Sequence, residues 1–321
     1  MLCGKGYLMK RTLLLLTLLA APRALLAEPV RIPADQSVRP PRSDTGDGLC
    51  ATIINITNPP APVFFSTADA TAKLALPTGQ GMVGSRQNAV YTHMRFHNKE
   101  STSVGDFQQV EATKLPFDNN VAMRLRGYMN ITPATLASTQ ALYASAGARL
   151  RLGGTTVLDF NANSTVRSTR QVNFAGKGLY PIEIVYYANG GIAVLEASQA
   201  LSAEPEGSPL TLDTRKFNLL PAAQLFTARN GSTTACAECA VDTDCQSGNH
   251  CAHDWGGGGP GSDGICSPCN SADHCGESCK PCGGTTPYCA AGSCVRCVQD
   301  NQCGAGERCL NHACVAAPPC A

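Results

Sequence analysis

The residues with the most chemistry per unit length are the cysteines. Of 18 in the 321-residue chain, 16 lie between Cys236 and Cys320. Thiols at short spacing can hold zinc, run dithiol exchange or pair into disulfides. Four Cys-x2-Cys pairs (Cys236/Cys239, Cys266/Cys269, Cys279/Cys282 and Cys294/Cys297) have the spacing of zinc ligands. Further cysteines are interspersed between them, which a zinc ribbon has no use for, and zinc needs reduced thiolates. The run instead divides into three loose units. The first is Cys239-x5-Cys245-x5-Cys251 followed by Cys266; the second is Cys269-x5-Cys275 followed by Cys289 and Cys294. The third is Cys297-x5-Cys303-x5-Cys309 followed by Cys314, and Cys320 closes the run. Asp244, Asp273 and Asp300 precede the second cysteine of each unit, and the middle unit carries the inserted pair Cys279-Lys-Pro-Cys282. Units this short, with few large apolar side chains, cannot bury a core, so disulfides must hold them. All 16 are expected in disulfides, with no metal and with a connectivity that spacing alone leaves open.

Other chemistry is sparse. His93 and His97 have no carboxylate or third histidine at ligand spacing. There is no Gly-x-Ser-x-Gly, no His-Glu-x-x-His and no carboxylate pair with assignable roles, so neither a catalytic activity nor a cofactor is expected. With 25 basic against 24 acidic side chains, a net charge of +1, the chain lacks the basic excess that phosphate neutralisation needs, which excludes nucleic acid as a partner.

The start of the chain sets the compartment. Lys10 and Arg11 precede the apolar run Thr12–Ala21, and Ala27 is a plausible cleavage point, so residues 1–27 read as a secretory signal peptide. Ten apolar residues are too few to span a bilayer, and no later stretch is long enough, so the mature chain is expected to have no transmembrane span. Export agrees with disulfides. It leaves 17 cysteines, an odd number, so one is expected to be unpaired or paired between chains.

The elements that would position any site are strands. In Gly147–Phe160, Ala148, Leu150 and Leu152 alternate with Arg149 and Arg151, the period of a half-buried strand; Gly153-Gly154 suits a two-residue turn and Thr155–Phe160 returns. Val121–Ile131 reads as a long strand with Val121, Met123 and Leu125 inward and a bulge or corner at Gly127. Ala89–Phe96 alternates as one strand, and Gly178–Tyr187 and Gly190–Glu196 read as two more. Residues 132–139 could form one helical turn; nothing else sustains a helical period. Residues 28–49, rich in proline and charge, read as a linker. The domains expected are thus a sandwich over 50–228 and a disulfide-rich region over 229–321. The fold class is all-β, an antiparallel β-sandwich followed by a small disulfide-rich repeat domain.

Four of these segments and a fifth near the end of the sandwich region, in order (Val121–Ile131, the Gly147–Phe160 hairpin, Gly178-Leu-Tyr-Pro, Gly190–Leu195 and Leu219-Leu-Pro-Ala-Ala-Gln-Leu-Phe226), resemble the lectin-like β-sandwich first seen in anthrax protective antigen. The resemblance covers roughly residues 60–228. It implies carbohydrate or protein binding at a cell surface. Many sugar-binding members carry two consecutive aspartates before the hairpin that hold a calcium ion; here the positions are Ser145 and Ala146. Asp159 matches the aspartate at the far end of the hairpin but cannot hold calcium alone. Calcium-dependent sugar binding is therefore expected to be lost.

Sandwich and cysteine repeats together resemble the outer-membrane exchange receptors of myxobacteria, the TraA-like family. This implies an exported protein at the bacterial outer-membrane surface or outside the cell. Its partner would be a like receptor on a neighbouring cell or a surface glycan, with an OmpA-like outer-membrane protein as a second partner. Members of that family continue to a C-terminal sorting segment, whereas this sequence stops at Ala321. The rival reading is a secreted carbohydrate-binding module or an accessory part of a glycosidase system. Candidate contact loops are 98–106, 143–147 and 161–168. The candidate ligand-binding residues are Lys99, Glu100, Asp106, Ser145, Ala146, Asp159, Asn161 and Asn163.

Overall fold

The computed structural model describes residues 28–38, 48–57, 63–76, 78–98, 112–162, 164–207, 212–227, 248–252, 265–270, 272–276, 279–290 and 292–317. The strands of the first part are β1 (Val30–Ile32), β2 (Leu49–Ile56), β3 (Val83–Tyr91), β4 (Arg95–His97), β5 (Thr113–Lys114), β6 (Val121–Ile131) and β7 (Ala137–Ala144). They continue with β8 (Gly147–Leu152), β9 (Thr155–Phe160), β10 (Val166–Phe174), β11 (Gly178–Ala188), β12 (Val194–Ala200), β13 (Asn218–Leu219) and β14 (Leu225–Thr227). One α-helix, α1 (Thr67–Ala75), lies between β2 and β3.

Two seven-stranded sheets face each other. The first runs β1-β10-β7-β12-β4-β5 with β13 beside β12; the second runs β3-β2-β6-β11-β8-β9 with β14 beside β6. Pairing is antiparallel apart from the short edge pairs β1/β10 and β4/β5. Alternate residues of each strand meet between the sheets: Ile53 of β2, Val121, Met123 and Leu125 of β6, Ala148, Leu150 and Leu152 of β8, Leu142 of β7 and Leu195 of β12 share one core. The period-2 reading of these strands therefore holds, and the fold is an all-β sandwich. Gly153 and Gly154, at φ +55° and +83°, make the two-residue turn of the β8–β9 hairpin, a conformation costly for any residue with a Cβ.

Four expectations need correction. Residues 30–32 are not linker: β1 pairs with β10, and Ile32 is wholly buried in the core. Leu49, the last residue assigned to the linker, already belongs to β2. The single strand expected over 89–96 is two strands in different sheets, β3 and β4, because Met94 and Phe96 turn into the core while the chain crosses over. Gly127 makes no bulge; the β6/β11 register passes through it unbroken. It is glycine because the Phe226 carbonyl of β14 would lie 2.2 Å from a Cβ there. The one helical turn expected over 132–139 forms as a short 3-10 helix, Pro133–Thr135.

The larger omission is α1. It lies across the outer face of the second sheet and covers Ile54, Ala122, Val185 and Tyr187 with Ala70 and Leu74. Arg149 and Arg151, expected to face solvent, therefore belong to a covered charged layer. Arg126, Glu183 and Arg151 sit opposite one another on β6, β11 and β8. Glu183 is buried and accepts from Arg126 Nε at 3.0 Å and Arg149 Nη2 at 3.2 Å. Arg149 also reaches Thr71 Oγ1 of the helix at 3.1 Å. Burial alone would raise the Glu183 pKa, but Arg126, Arg124, Arg149 and Arg151 together hold it below the ordinary glutamate range.

After the sandwich come three hairpins: β15 (Asn249–Ala252) with β16 (Ile265–Pro268), β17 (Tyr288–Ala290) with β18 (Ser293–Val295), and β19 (Glu307–Leu310) with β20 (Ala313–Ala316). Each places two cysteines directly opposite each other: Cys251 and Cys266, Cys289 and Cys294, Cys309 and Cys314. In the second and third hairpins the opposed cysteines do not bond to one another. Cys289 and Cys294 bond back to Cys275 and Cys282, and Cys309 and Cys314 bond back to Cys297 and Cys303. Cys269–Cys279 completes the middle unit. The second and third hairpins are thus stapled on both strands to the loop before them. The close sulfur groups Cys275/Cys282/Cys294 and Cys297/Cys303/Cys314 consist of these disulfide sulfurs, which are not thiolates and so are not available as zinc ligands. Cys251 is also disulfide-bonded. So is Cys50, which is therefore not the unpaired cysteine that the odd count led one to expect. Cys236, Cys239, Cys245 and Cys320 lie outside the described residues.

The loop end of the sandwich as candidate recognition site

Strand direction gathers the expected contact loops at one end. The β7–β8 turn at Ser145-Ala146, the exit of β9 at Asn161, the β11–β12 connection at Asn189–Ala193 and Asn98 after β4 all lie there. Lys99, Glu100, Asp106 and Asn163 fall outside the described residues. Both ends of the 98–112 connection are nevertheless fixed. Asn98 is buried; its amide donates to the Asp118 and Gly191 carbonyls at 2.5 and 2.8 Å, and its Oδ1 accepts from the Ala193 N–H at 2.9 Å. The Leu115 N–H donates to the His97 carbonyl at 2.7 Å.

The four remaining candidates are brought to this end, but each has a structural duty. Ser145 Oγ accepts from the Val194 N–H at 3.0 Å and lies 3.0 Å from the Tyr186 hydroxyl. Burial pushes the Tyr186 pKa up, a shift that its hydrogen bond to Ser145 reduces without cancelling. Ala146 packs with Val63, Phe64 and Tyr187 in the cluster under α1. Gly147 beside it has no room for a side chain, since a Cβ would fall 2.1 Å from the Tyr187 ring. Asp159 Oδ1 accepts from Thr67 Oγ1 at 2.8 Å, and Asn161 Oδ1 accepts from the Thr67 N–H at 2.9 Å. The exit of β9 is thereby tied to the first residue of α1.

This set does not fit calcium, which takes six to eight hard oxygens. Ala146 offers none, Ser145 offers one hydroxyl already engaged by the Val194 N–H, and Asp159 is a single carboxylate with one oxygen bound to Thr67. Calorimetric titration with calcium should therefore give no stoichiometric site at the hairpin; a tight one would overturn this account.

Two residues that the strand pattern did not single out organise the same end. Asn189 accepts from the Val63 and Phe64 N–H groups at 3.1 and 2.7 Å and donates back to the Phe64 carbonyl at 2.8 Å, clamping the segment before α1. That clamp presents Phe65, which is 70% exposed, the highest value for a large hydrophobic side chain among the described residues. The readable signal was Ser66-x-x-Asp69, a helix-start spacing followed by Ala70 and Leu74 at the four-residue period. Ser66 Oγ accepts from the Asp69 N–H at 3.1 Å, and Asp69 Oδ2 accepts from the Phe65 N–H at 3.3 Å.

The cysteine region meets the sandwich at the other end, through the residues at β16. Asn270 after β16 donates to the Asp35 carbonyl at 3.4 Å, and Gln36 beside it reaches Thr155 of the Gly153-Gly154 turn at 3.2 Å. The candidate contact loops and the Asn270–Asp35 contact of the cysteine region thus lie at opposite ends of the sandwich.

No protein-family model matches the chain, and no curated protein matches it. Among solved structures it is similar to the PA14 sugar-binding domain from an RTX adhesin, at 14% identity and TM-score 0.39 over 56% of this chain and 98% of that one. It is similar to the A domain of epithelial adhesin 9 from Candida glabrata, solved with Galb1-4GlcNAc, at 12% identity and TM-score 0.41 over 62% and 95%. An anti-sigma factor domain-containing protein from Clostridium clariflavum aligns at 14% identity and TM-score 0.35 over 56% of this chain. The chain spans about half of that protein, 46% of its length. Likeness at this level does not assign a ligand to this chain.

Proposed function

We propose that the chain is an exported, non-catalytic recognition module that makes its contacts through the loop end of the sandwich and is held at a distance by the stapled hairpins. The observation that carries this reading is the separation of the two ends. The loops at 98–112, 145–146, 161–165 and 189–193 leave from one end, whereas Asn270, after the first hairpin, meets the Asp35 turn at the other. Loops on a rigid frame vary their chemistry without disturbing the core, and a crosslinked spacer needs no core of its own.

In the finer form of the reading the partner is a like receptor on a neighbouring cell, and contact leads to outer-membrane exchange together with an OmpA-like protein. Support comes from the sequence resemblance to the myxobacterial exchange receptors. Beads coated with the purified full chain should aggregate, and replacing 99–106 with a glycine-serine stretch should abolish aggregation. Beads that stay dispersed would refute the homotypic form. A second reading, binding of a surface glycan, is favoured by one specific observation, the exposed Phe65 at the same end.

A further inference from the structure

We propose that Phe65, with Asp159 and Asn161 as its polar rim, forms a calcium-independent site for a neutral pyranose ring. The proposal rests on the surface-recognition reading and deepens its glycan form. Three features of the loop end carry it. The first is exposure: Phe65 presents 70% of its surface while its neighbour Phe64 is buried. The second is rigidity, because Asn189 clamps the backbone before Phe65 and Asp69 holds its N–H. An aromatic fixed in advance loses little freedom when a ligand stacks on it. The third is the rim. Thr67 binds one oxygen of Asp159 and the carbonyl oxygen of Asn161, both exposed residues, and leaves the second carboxylate oxygen and the amide nitrogen for ligand hydroxyls.

A sugar ring matches this combination. Its C–H face suits the electron-rich face of an aromatic ring, while its equatorial hydroxyls need acceptors and donors in the ring plane. A protein hot spot would put further apolar surface around the aromatic; here the groups tied to its segment are carboxylates, Asp69 on the Phe65 N–H and Asp159 on Thr67 two residues on. Lys73 Nζ lies 2.6 Å from Asp69, so that pair is neutral as a whole; among the described residues no ion pair holds Asp159. Its charge selects against sialylated and uronic sugars.

Saturation-transfer NMR on the full chain in EDTA, with methyl β-galactoside, methyl α-mannoside, methyl β-N-acetylglucosaminide and sialyllactose as probes, tests the site. At least one neutral pyranoside should bind and sialyllactose should not. Phe65→Ala should weaken binding by about tenfold, the worth of one aromatic contact, with an unchanged melting temperature. Phe65→Trp should keep binding, as should Leu201→Ala, a control on an exposed side chain at the opposite end. Failure of every neutral pyranoside, undiminished binding by Phe65→Ala, or binding that appears only when calcium replaces EDTA would overturn the site. Bead aggregation run beside it separates the two readings. Beads that aggregate while no sugar binds sink the Phe65 site and leave surface recognition standing; beads that stay dispersed while the sugar binds remove homotypic contact and leave the site.

Discussion

The sandwich and the cysteine hairpins solve the same problem by opposite means. The sandwich buries Ile53, Met123, Leu150, Ile184 and Leu195 between two sheets, so its stability comes from apolar area removed from water. The hairpins of the middle and last units bury few residues beyond their own cysteines, and five described bridges close loops with sequence separations of 10 to 14 residues. At about 3 kcal/mol for each loop of this size, the bridges together match the whole stability of a typical domain. One region is stabilised in its folded state, the other by restriction of its unfolded state.

The largest expected effect separates them outright. Under a thiol reductant, hydrogen exchange read by mass spectrometry should show the amides of β17 to β20 exchanging at the rate of unfolded chain, with β6 and β11 still protected. If β6 and β11 lose protection at the same reductant concentration, the Cys50 bridge rather than the core holds the sandwich, and the contrast fails.

Next in size is the charged layer under α1. Glu183→Ala leaves four guanidinium groups around an empty position and should cost about 3–5 kcal/mol in urea denaturation, the usual penalty for breaking a buried pair. Its pH dependence has a definite sign. The Glu183 carboxyl has a lower pKa folded than unfolded, so its contribution is complete above the ordinary value of 4.5 and is lost as pH falls through the folded value. Acid denaturation of the sandwich should therefore be less steep in Glu183→Gln. The disulfides of the tail carry no matching dependence, so proteolysis of the tail should not change over the same interval.

Which parts of this were legible in the sequence follows from the same contrast. Strand periodicity reports burial on one face, and it located β6, β8, β9 and β11 because their inward residues meet a core of ordinary composition. It could not report what lies on the other face. Arg149 and Arg151 look like solvent residues whether water or a helix covers them, and α1, at nine residues, is short and rich in alanine and threonine. The loop end was legible as a place but not as a site: Ser145, Asp159 and Asn161 came together as expected, yet their hydrogen bonds hold the frame. Phe65 lies in Val63–Ser66, which reads as a strand after a proline-rich turn but forms none and instead leads into α1. In the tail, cysteine count gave the disulfides, but pairing depended on which cysteines the hairpins set opposite each other, and spacing is silent on that.

Glycine positions sharpen the comparison at a smaller scale. Gly127→Ala places a Cβ against the Phe226 carbonyl and should push β14 off β6, at a cost of about 1–3 kcal/mol. Gly154→Ala meets no atom within 4 Å and pays only for its positive φ, about 1–2 kcal/mol. Exchange at residues 225–227 should rise in the first variant and stay unchanged in the second. Equal local effects would mean that close packing of β14 on β6 is not why position 127 is glycine.

The smallest effect on stability bears most directly on recognition. Ser66 caps α1 through the Asp69 N–H, and losing such a cap costs about 1 kcal/mol. Ser66→Ala should therefore leave the sandwich folded while the first turn of α1 exchanges faster. Phe65 precedes that cap, and its N–H is held by the same Asp69. If its ring serves as a platform because the backbone is fixed, Ser66→Ala should weaken pyranoside binding a few-fold with no contact to the sugar removed. Binding untouched by Ser66→Ala but lost with Phe65→Ala would place the affinity in the ring alone and make the clamp incidental. In a chain where one end is rigid by packing and the other by covalent bonds, that outcome would mean the recognition site depends on neither.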